Sequence, residues 1–248
     1  MENNEPNLKK PKIAILDITL IALFAALGYI SLVVLFIPFA GMYIHFGNLI
    51  VVLAALLIGG WQGGLSGSIG LGLFDLLNGY PDSAPKTIIL KFLIGLTVGL
   101  VFNLLNKKHN FLSVFLVISI IISLMISEAI LVYSLTEFGD IRGKSAILFP
   151  LFFIIGLFSL LFFFLRKKFS ETTSAALVAV TLGMLINIIG EFLWKYFYYL
   201  FSGMDSSAAF VASALGQSST LINAGVAIVG SVFLYTVLVK PFNRITKR

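Results

Sequence analysis

From residue 13 onward the chain is a succession of apolar runs separated by short polar or basic joints, and each run stays apolar around the whole helical circumference. A soluble helix of such length would keep a polar face. About 20 apolar residues are enough to cross the hydrocarbon core of a bilayer, where every backbone amide must be satisfied within the chain, so such runs fold as helices. The runs fall at residues 13–37, 48–60, 63–79, 86–105, 111–135, 145–165, 173–200 and 208–239, which makes eight candidate spans. Composition agrees: 59% of residues are hydrophobic and 11% charged, against about a quarter charged in ordinary soluble domains. The chain therefore reads as an all-α integral membrane protein. The second and third runs are short and meet at Gly59-Gly60-Trp61-Gln62-Gly63-Gly64, so one of them is expected to be tilted, broken or buried among its neighbours. The first run follows Lys9, Lys10 and Lys12, but it is too long for the apolar part of a signal peptide and has no convincing cleavage site, so it is read as a retained helix.

The net charge of +6 is gathered in clusters between runs rather than along one stripe, which speaks against nucleic acid. With the N-terminus in the cytoplasm, eight spans collect Lys9, Lys10, Lys12, Lys107, Lys108, Arg166, Lys167, Lys168, Lys240, Arg244, Lys247 and Arg248 on the inside. The alternate loops hold Lys86, Arg142 and Lys144. This positive-inside pattern predicts that both termini are cytoplasmic, with no soluble domain appended. Cysteine is absent, which removes disulfides, thiolate metal sites and cysteine nucleophiles.

Polar groups inside apolar spans are costly and therefore informative. The positions to weigh are Asp75, Lys91, Glu128, Asn187, Glu191, Lys195, Gln217 and Asn223. Asp75 near the end of the third run and Lys91 near the start of the fourth lie at similar depth, so an ion pair is expected; it serves either as a bridge between helices or as a ligand contact. Glu191 and Lys195, four residues apart, suit an intrahelical pair. Trp194, Tyr196, Phe197, Tyr198 and Tyr199 fit an interfacial aromatic belt, although Trp194 and Tyr198 beside placed polar groups also suit the wall of a pocket for a flat heterocycle. The joint from Pro38 to Asn48 is short and apolar, a candidate lid in which His45 and Asn48 offer hydrogen bonds. Two histidines in the whole chain do not make a metal site. Gly63, Gly67 and Gly70, then Gly95 and Gly99, then Ala22 and Ala26, mark close helix approach. The run Gly139-Asp140-Ile141-Arg142-Gly143-Lys144-Ser145 has three residues between its glycines where a phosphate-binding loop needs four, so the chain is not expected to hydrolyse ATP.

Residues 44–102 resemble the substrate-binding S components of energy-coupling factor (ECF) transporters. The resemblance is carried by His45-Phe46-Gly47-Asn48, by Leu53-Ala54-Ala55-Leu56-Leu57-Ile58-Gly59 with Trp61-Gln62-Gly63-Gly64, by Gly70-Leu71-Gly72-Leu73-Phe74-Asp75-Leu76-Leu77-Asn78-Gly79-Tyr80-Pro81, and by Ala84-Pro85-Lys86-Thr87 with Lys91. It implies a six-helix bundle in the prokaryotic cell membrane: a tail at 1–12, helices one to four in 13–105, an extra transmembrane hairpin at 111–165, the last two helices in 173–239 and a tail at 240–248. It implies partners, namely a shared transmembrane coupling subunit, met by Ala22 and Ala26, and two ATPase subunits, with no cofactor in this chain. It also implies a cavity near the outer face, closed by the first outer loop and lined by the last helices, for a water-soluble vitamin or precursor. The wording of residues 70–91 leans toward pyridoxine-like or pyrimidine compounds. Ligand contacts are then expected from His45, Asn48, Asp75, Lys86, Lys91, Glu191, Trp194, Tyr198, Thr220 and Asn223. Thr220 stands where the family usually has asparagine, Asn223 where it often has glutamine, and Asn48 replaces a common aspartate. The competing reading is a proton- or sodium-coupled secondary transporter using Asp75 or Glu191; it predicts inverted repeats, and no second copy of the 44–102 pattern is evident. Catalysis is not expected, because neither His45 nor His109 has a suitable partner.

Overall fold

A computed structural model describes residues 15–39, 42–107, 121–123, 125–132, 153, 156–157, 160, 164 and 169–246. Helix α1 (Ile15–Val33) leads into two short strands, β1 (Phe36–Phe39) and β2 (Met42–His45), and then α2 (Gly47–Ile58), α3 (Gly60–Leu77), a 3-10 turn (Pro81–Ser83) and α4 (Ala84–Lys107). After residue 170 come α5 (Glu171–Phe201), α6 (Ser206–Leu215) and α7 (Ser218–Thr246). Four stretches among the described residues are long and apolar enough to cross a membrane: Ile15–Val33, Pro81–Lys107, Glu171–Phe201 and Ser218–Thr246. The expected inserted hairpin at 111–165 lies largely outside the described residues, as do the tail at 1–12 and the glycine run at 139–145, whereas the expected tail at 240–248 is a continuation of α7 as far as Thr246. Glu128 sits in one of the short helical pieces, 125–132.

The second run is the one buried among its neighbours. Val52 and Ala54 of α2 are fully enclosed, and every α2 residue except Ile50 is buried. Gly59, at φ 101°, occupies a conformation that side-chain-bearing residues avoid, and so reverses the chain in a single residue between α2 and α3. Missing side chains then let the helices touch backbone to backbone. A Cβ on Gly63 would lie 2.3 Å from the Ala55 nitrogen, one on Gly95 2.3 Å from the Gly64 nitrogen, and one on Gly70 2.2 Å from the Ala25 carbonyl. This is how helices associate where lipid supplies no hydrophobic force between them. Helix α3 thus lies among α1, α2 and α4. On the other flank α5 packs on α4, with Leu90 seated over Gly190, and α7 packs on α2, with Leu49 seated over Gly230.

Two departures from the sequence reading matter. The joint after α1 is an antiparallel hairpin, pairing Phe36 with His45, Ile37 with Ile44, Pro38 with Tyr43 and Phe39 with Met42, so the helical fold carries a small β element. Its aromatic and β-branched residues favour extended backbone, and Pro38 is tolerated in a two-stranded edge. The run at 208–239 is also two helices rather than one. As an unbroken helix it would measure about 48 Å, against a hydrocarbon core of about 30 Å. It divides at Gly216-Gln217, with Asp205 capping α6 through the amides of Ser207 and Ala208.

Helix lengths create a step. Starting from the Gly59 reversal, α2 runs 12 residues and α3 runs 18, so α3 extends about 9 Å beyond the start of α2 at 1.5 Å per residue. The β-hairpin and the 3-10 turn lie at that level.

Candidate functional site

Above the start of α2 the step encloses a cavity of about 470 Å³. One side is apolar, made by Leu32 of α1, Phe36 of β1, Leu71 and Phe74 of α3, and Tyr80. Phe74 and Tyr80 present near-parallel rings, 6.5 Å apart at 17°. The other side is polar: His45 of β2, Asp75 of α3, Lys86, Thr87 and Lys91 of α4, and Glu191 of α5. Helical spacing explains the grouping, because Leu71 and Asp75, Thr87 and Lys91, and Asn187 and Glu191 are each four apart and share a face. Gly79, at φ 90°, allows the tight turn that brings the end of α3 against the start of α4.

The polar side chains pair differently from the sequence expectation. Asp75 and Lys91 form no ion pair. Asp75 instead accepts a hydrogen bond from the Thr87 hydroxyl, and the Lys91 ammonium donates to Asn187 Oδ1 at 2.8 Å. Glu191 does not take Lys195 along its own helix; it binds Lys86 Nζ at 2.9 Å, with both side chains mostly covered. Lys195 reaches the Gly216 carbonyl at the C-terminus of α6, where a cation is favoured. The cause is local packing: the missing side chain at Gly190 lets Leu90 and α4 close onto α5, so the carboxylate meets a cation across the interface more readily than one along its own helix.

The hairpin is tied to the last helix. The backbone N–H of His45 donates to Asn223 Oδ1 at 2.9 Å, and Asn223 is 4% exposed on α7, so its amide anchors the hairpin rather than lining the cavity. Burial, with Lys91 nearby, lowers the His45 pKa to about 4 against an opposing contribution from Glu191, which leaves the ring neutral near pH 7. Asn48 is buried in the first turn of α2; its Oδ1 and His45 Nδ1 find no hydrogen-bond partner among the described residues.

Of the residues expected at a ligand, His45, Asp75, Lys86, Lys91 and Glu191 line the cavity. Trp194 and Tyr198 do not: they are 43% and 63% exposed on the outer surface of α5, as an interfacial belt would be. Thr220 is buried away from the lining, and Asn48 lies beneath it. Sequence reasoning missed Thr87, Phe74 and Tyr80 as lining residues, and the signal available was their helical or turn spacing from Asp75 and Lys91. Ala22 and Ala26 are exposed on α1, on the side away from buried Phe24, Ala25 and Gly28.

Residues 12–154 match the family model described as "ECF-type riboflavin transporter, S component". The match takes in His45, Asp75, Lys86, Thr87 and Lys91 and ends before Asn187 and Glu191. A protein of Pyrococcus woesei described as "Uncharacterized protein in gap 3'region" is 38% identical over 63 residues, which cover 25% of this chain and 42% of that protein. The chain therefore spans less than half the length of that curated relative. No solved structure matches.

Proposed function

We propose, given that the chain belongs to the ECF-type riboflavin transporter S component family, that its cavity captures a flat, water-soluble vitamin or vitamin precursor at the outer face of the membrane. The observation that carries this reading is the cavity itself: an aromatic side made by Phe36, Phe74 and Tyr80 faces a side of five ionisable groups, His45, Asp75, Lys86, Lys91 and Glu191, with the hairpin contributing Phe36 and His45. A volume of about 470 Å³ falls within the range of small-molecule sites, roughly 300–1,000 Å³. The ring faces suit stacking on a heterocycle, and the polar side suits hydrogen bonds to its edge. Within that class the matching family's own description favours riboflavin, while the density of polar groups favours a smaller ring of the pyridoxine-like or pyrimidine kind. Family membership also supports association with a membrane coupling subunit and two ATPase subunits, whose ATP hydrolysis would drive release inside.

Lipid vesicles carrying the purified protein alone are expected to bind ligand without accumulating it, and addition of the coupling subunit and ATPases with ATP is expected to start uptake. Mass spectrometry of the compound that copurifies with gently solubilised protein identifies the ligand. Accumulation by the lone protein under a proton or sodium gradient would replace this reading with that of a secondary transporter working through Asp75 or Glu191.

A further inference from the structure

Helix α1, at 19 residues, measures about 28 Å, close to a hydrocarbon thickness of about 30 Å, so the chain reaches the membrane boundary where that helix ends. A segment leaving lipid for water ordinarily turns polar there. This one does not: from Val33 to Ile44 every residue is apolar except Tyr43. The exposed side of α1, with Leu23, Leu27 and Ile30, continues through Val33 and Val34 to Ile37 of β1. Val34 is 66% exposed and Ile37 is 51% exposed. Successive strand residues point to opposite faces of a ribbon. Phe36 and its pair partner His45 line the cavity, so Ile37 and its partner Ile44 stand on the other face. A ribbon face turned to water is normally polar, and this pair is two isoleucines.

The backbone sets the depth. The sheet has two strands among the described residues, and β2 is held against α7 by the bond from the His45 amide to Asn223, which leaves β1 as the outer edge. The outward N–H and C=O groups of an edge strand need partners that hydrocarbon lacks. An upright hairpin fails for the opposite reason. Strands of four residues rise about 13 Å, past a headgroup layer of about 5–8 Å per leaflet, and would carry apolar side chains into water. Lying along the boundary satisfies both demands, since headgroups and their water meet the backbone while acyl chains meet the isoleucines. We infer that the β-hairpin is an interfacial anchor: the face bearing Ile37 and Ile44 rests on lipid in the headgroup region of the leaflet at the cavity end of the bundle, while Phe36 and His45 turn toward the cavity. The occupant is lipid because the face is continuous with the exposed apolar side of a membrane-spanning helix. The inference holds whatever the cavity binds.

The chain has no cysteine, so a single introduced cysteine carries a nitroxide spin label at a chosen position of the full-length protein. Ile37→Cys and Ile44→Cys are labelled, placed in nanodiscs of phosphatidylethanolamine and phosphatidylglycerol, and compared with Ile30→Cys on the exposed side of α1 and Asp82→Cys on the exposed 3-10 turn. Power-saturation EPR reads how often each label collides with dissolved oxygen, which is enriched in lipid, and with a water-soluble nickel chelate. The oxygen-to-nickel ratio at positions 37 and 44 is expected to lie above that at 82 and below that at 30. Ile37→Asp, read from the label at position 44, is expected to move that ratio toward the value at 82. A ratio equal to that at 82 overturns the anchor, because the hairpin then stands in water. A ratio equal to that at 30 overturns the interfacial depth, and exclusion of both reagents overturns the lipid occupant, since protein then covers the face. An unchanged ratio in the Ile37→Asp protein also overturns the inference, because the apolar face would not be what seats the hairpin. Labels on two strands keep the result decisive if one variant fails to fold.

Discussion

His45 joins backbone and side-chain roles at one position: its amide is tied to Asn223 while its ring lines the cavity as a neutral group. The ring's pKa falls from 6.5 to about 4. A histidine whose folded pKa is lowered binds protons more readily once the fold opens, so protonation favours opening. The stabilisation is complete above about pH 6.5 and is lost as pH falls toward about 4. The melting temperature of the purified protein is accordingly expected to drop across that interval, and to drop less in His45→Gln. An equal drop in both proteins would show that His45 does not contribute, since Lys91 and Glu191, the charged groups acting on the ring, are present in each. At this scale the sequence made the polar positions visible, because a charge within an apolar run is rare and expensive. It did not reveal their partners. Glu191 binds a lysine 105 residues away instead of the one four residues along its own helix, a choice made by helix packing that spacing along the chain does not contain.

Helices α3 and α4 meet through Gly60, Gly64, Gly95 and Gly99, with no side chains between them at these points. Added volume there has nowhere to go, since the nearest atoms are backbone. Gly95→Ala is expected to destabilise the folded protein by about 1–3 kcal/mol, the usual cost of overpacking, and to lower its melting temperature in detergent. Gly225→Ala on α7, where a Cβ meets nothing within 4 Å, is the matched control and is expected to leave the melting temperature near wild type. Equal effects of the two would mean that the close approach is not what holds α3 to α4. The glycine spacing made this contact legible in the sequence, as did the short second run ending at Gly59. The β-hairpin was not read, although Phe36-Ile37-Pro38-Phe39 and Met42-Tyr43-Ile44-His45 separated by Ala40-Gly41 carry a hairpin composition; their apolarity merged with the end of the first span. The break at Gly216 was hidden in the same way, because hydropathy sees α6 and α7 as one continuous stretch.

For the whole molecule, the apolar runs and the basic clusters were enough to read a multi-pass helical membrane protein, whereas the cavity, built from five separated segments, emerges only once the chain is folded. Its position also lies apart from the exposed alanines of α1. Ala22 and Ala26 are exposed on α1, while the cavity draws on that helix only through Leu32, near its other end. If these alanines meet the coupling subunit proposed above, replacing both by leucine is expected to abolish copurification with it and to leave the affinity for the copurified ligand within about twofold, because small residues let helices approach closely and added bulk prevents it. Retained assembly with lost binding would reverse that assignment.

The modest length of α2 has a further consequence. Because α2, at 12 residues, starts two positions after His45 of the cavity lining and stops short beside the 18-residue α3, its length bears on the room left there. One extra turn at the head of α2 would plug the well by about 5 Å, and one fewer would admit a longer guest.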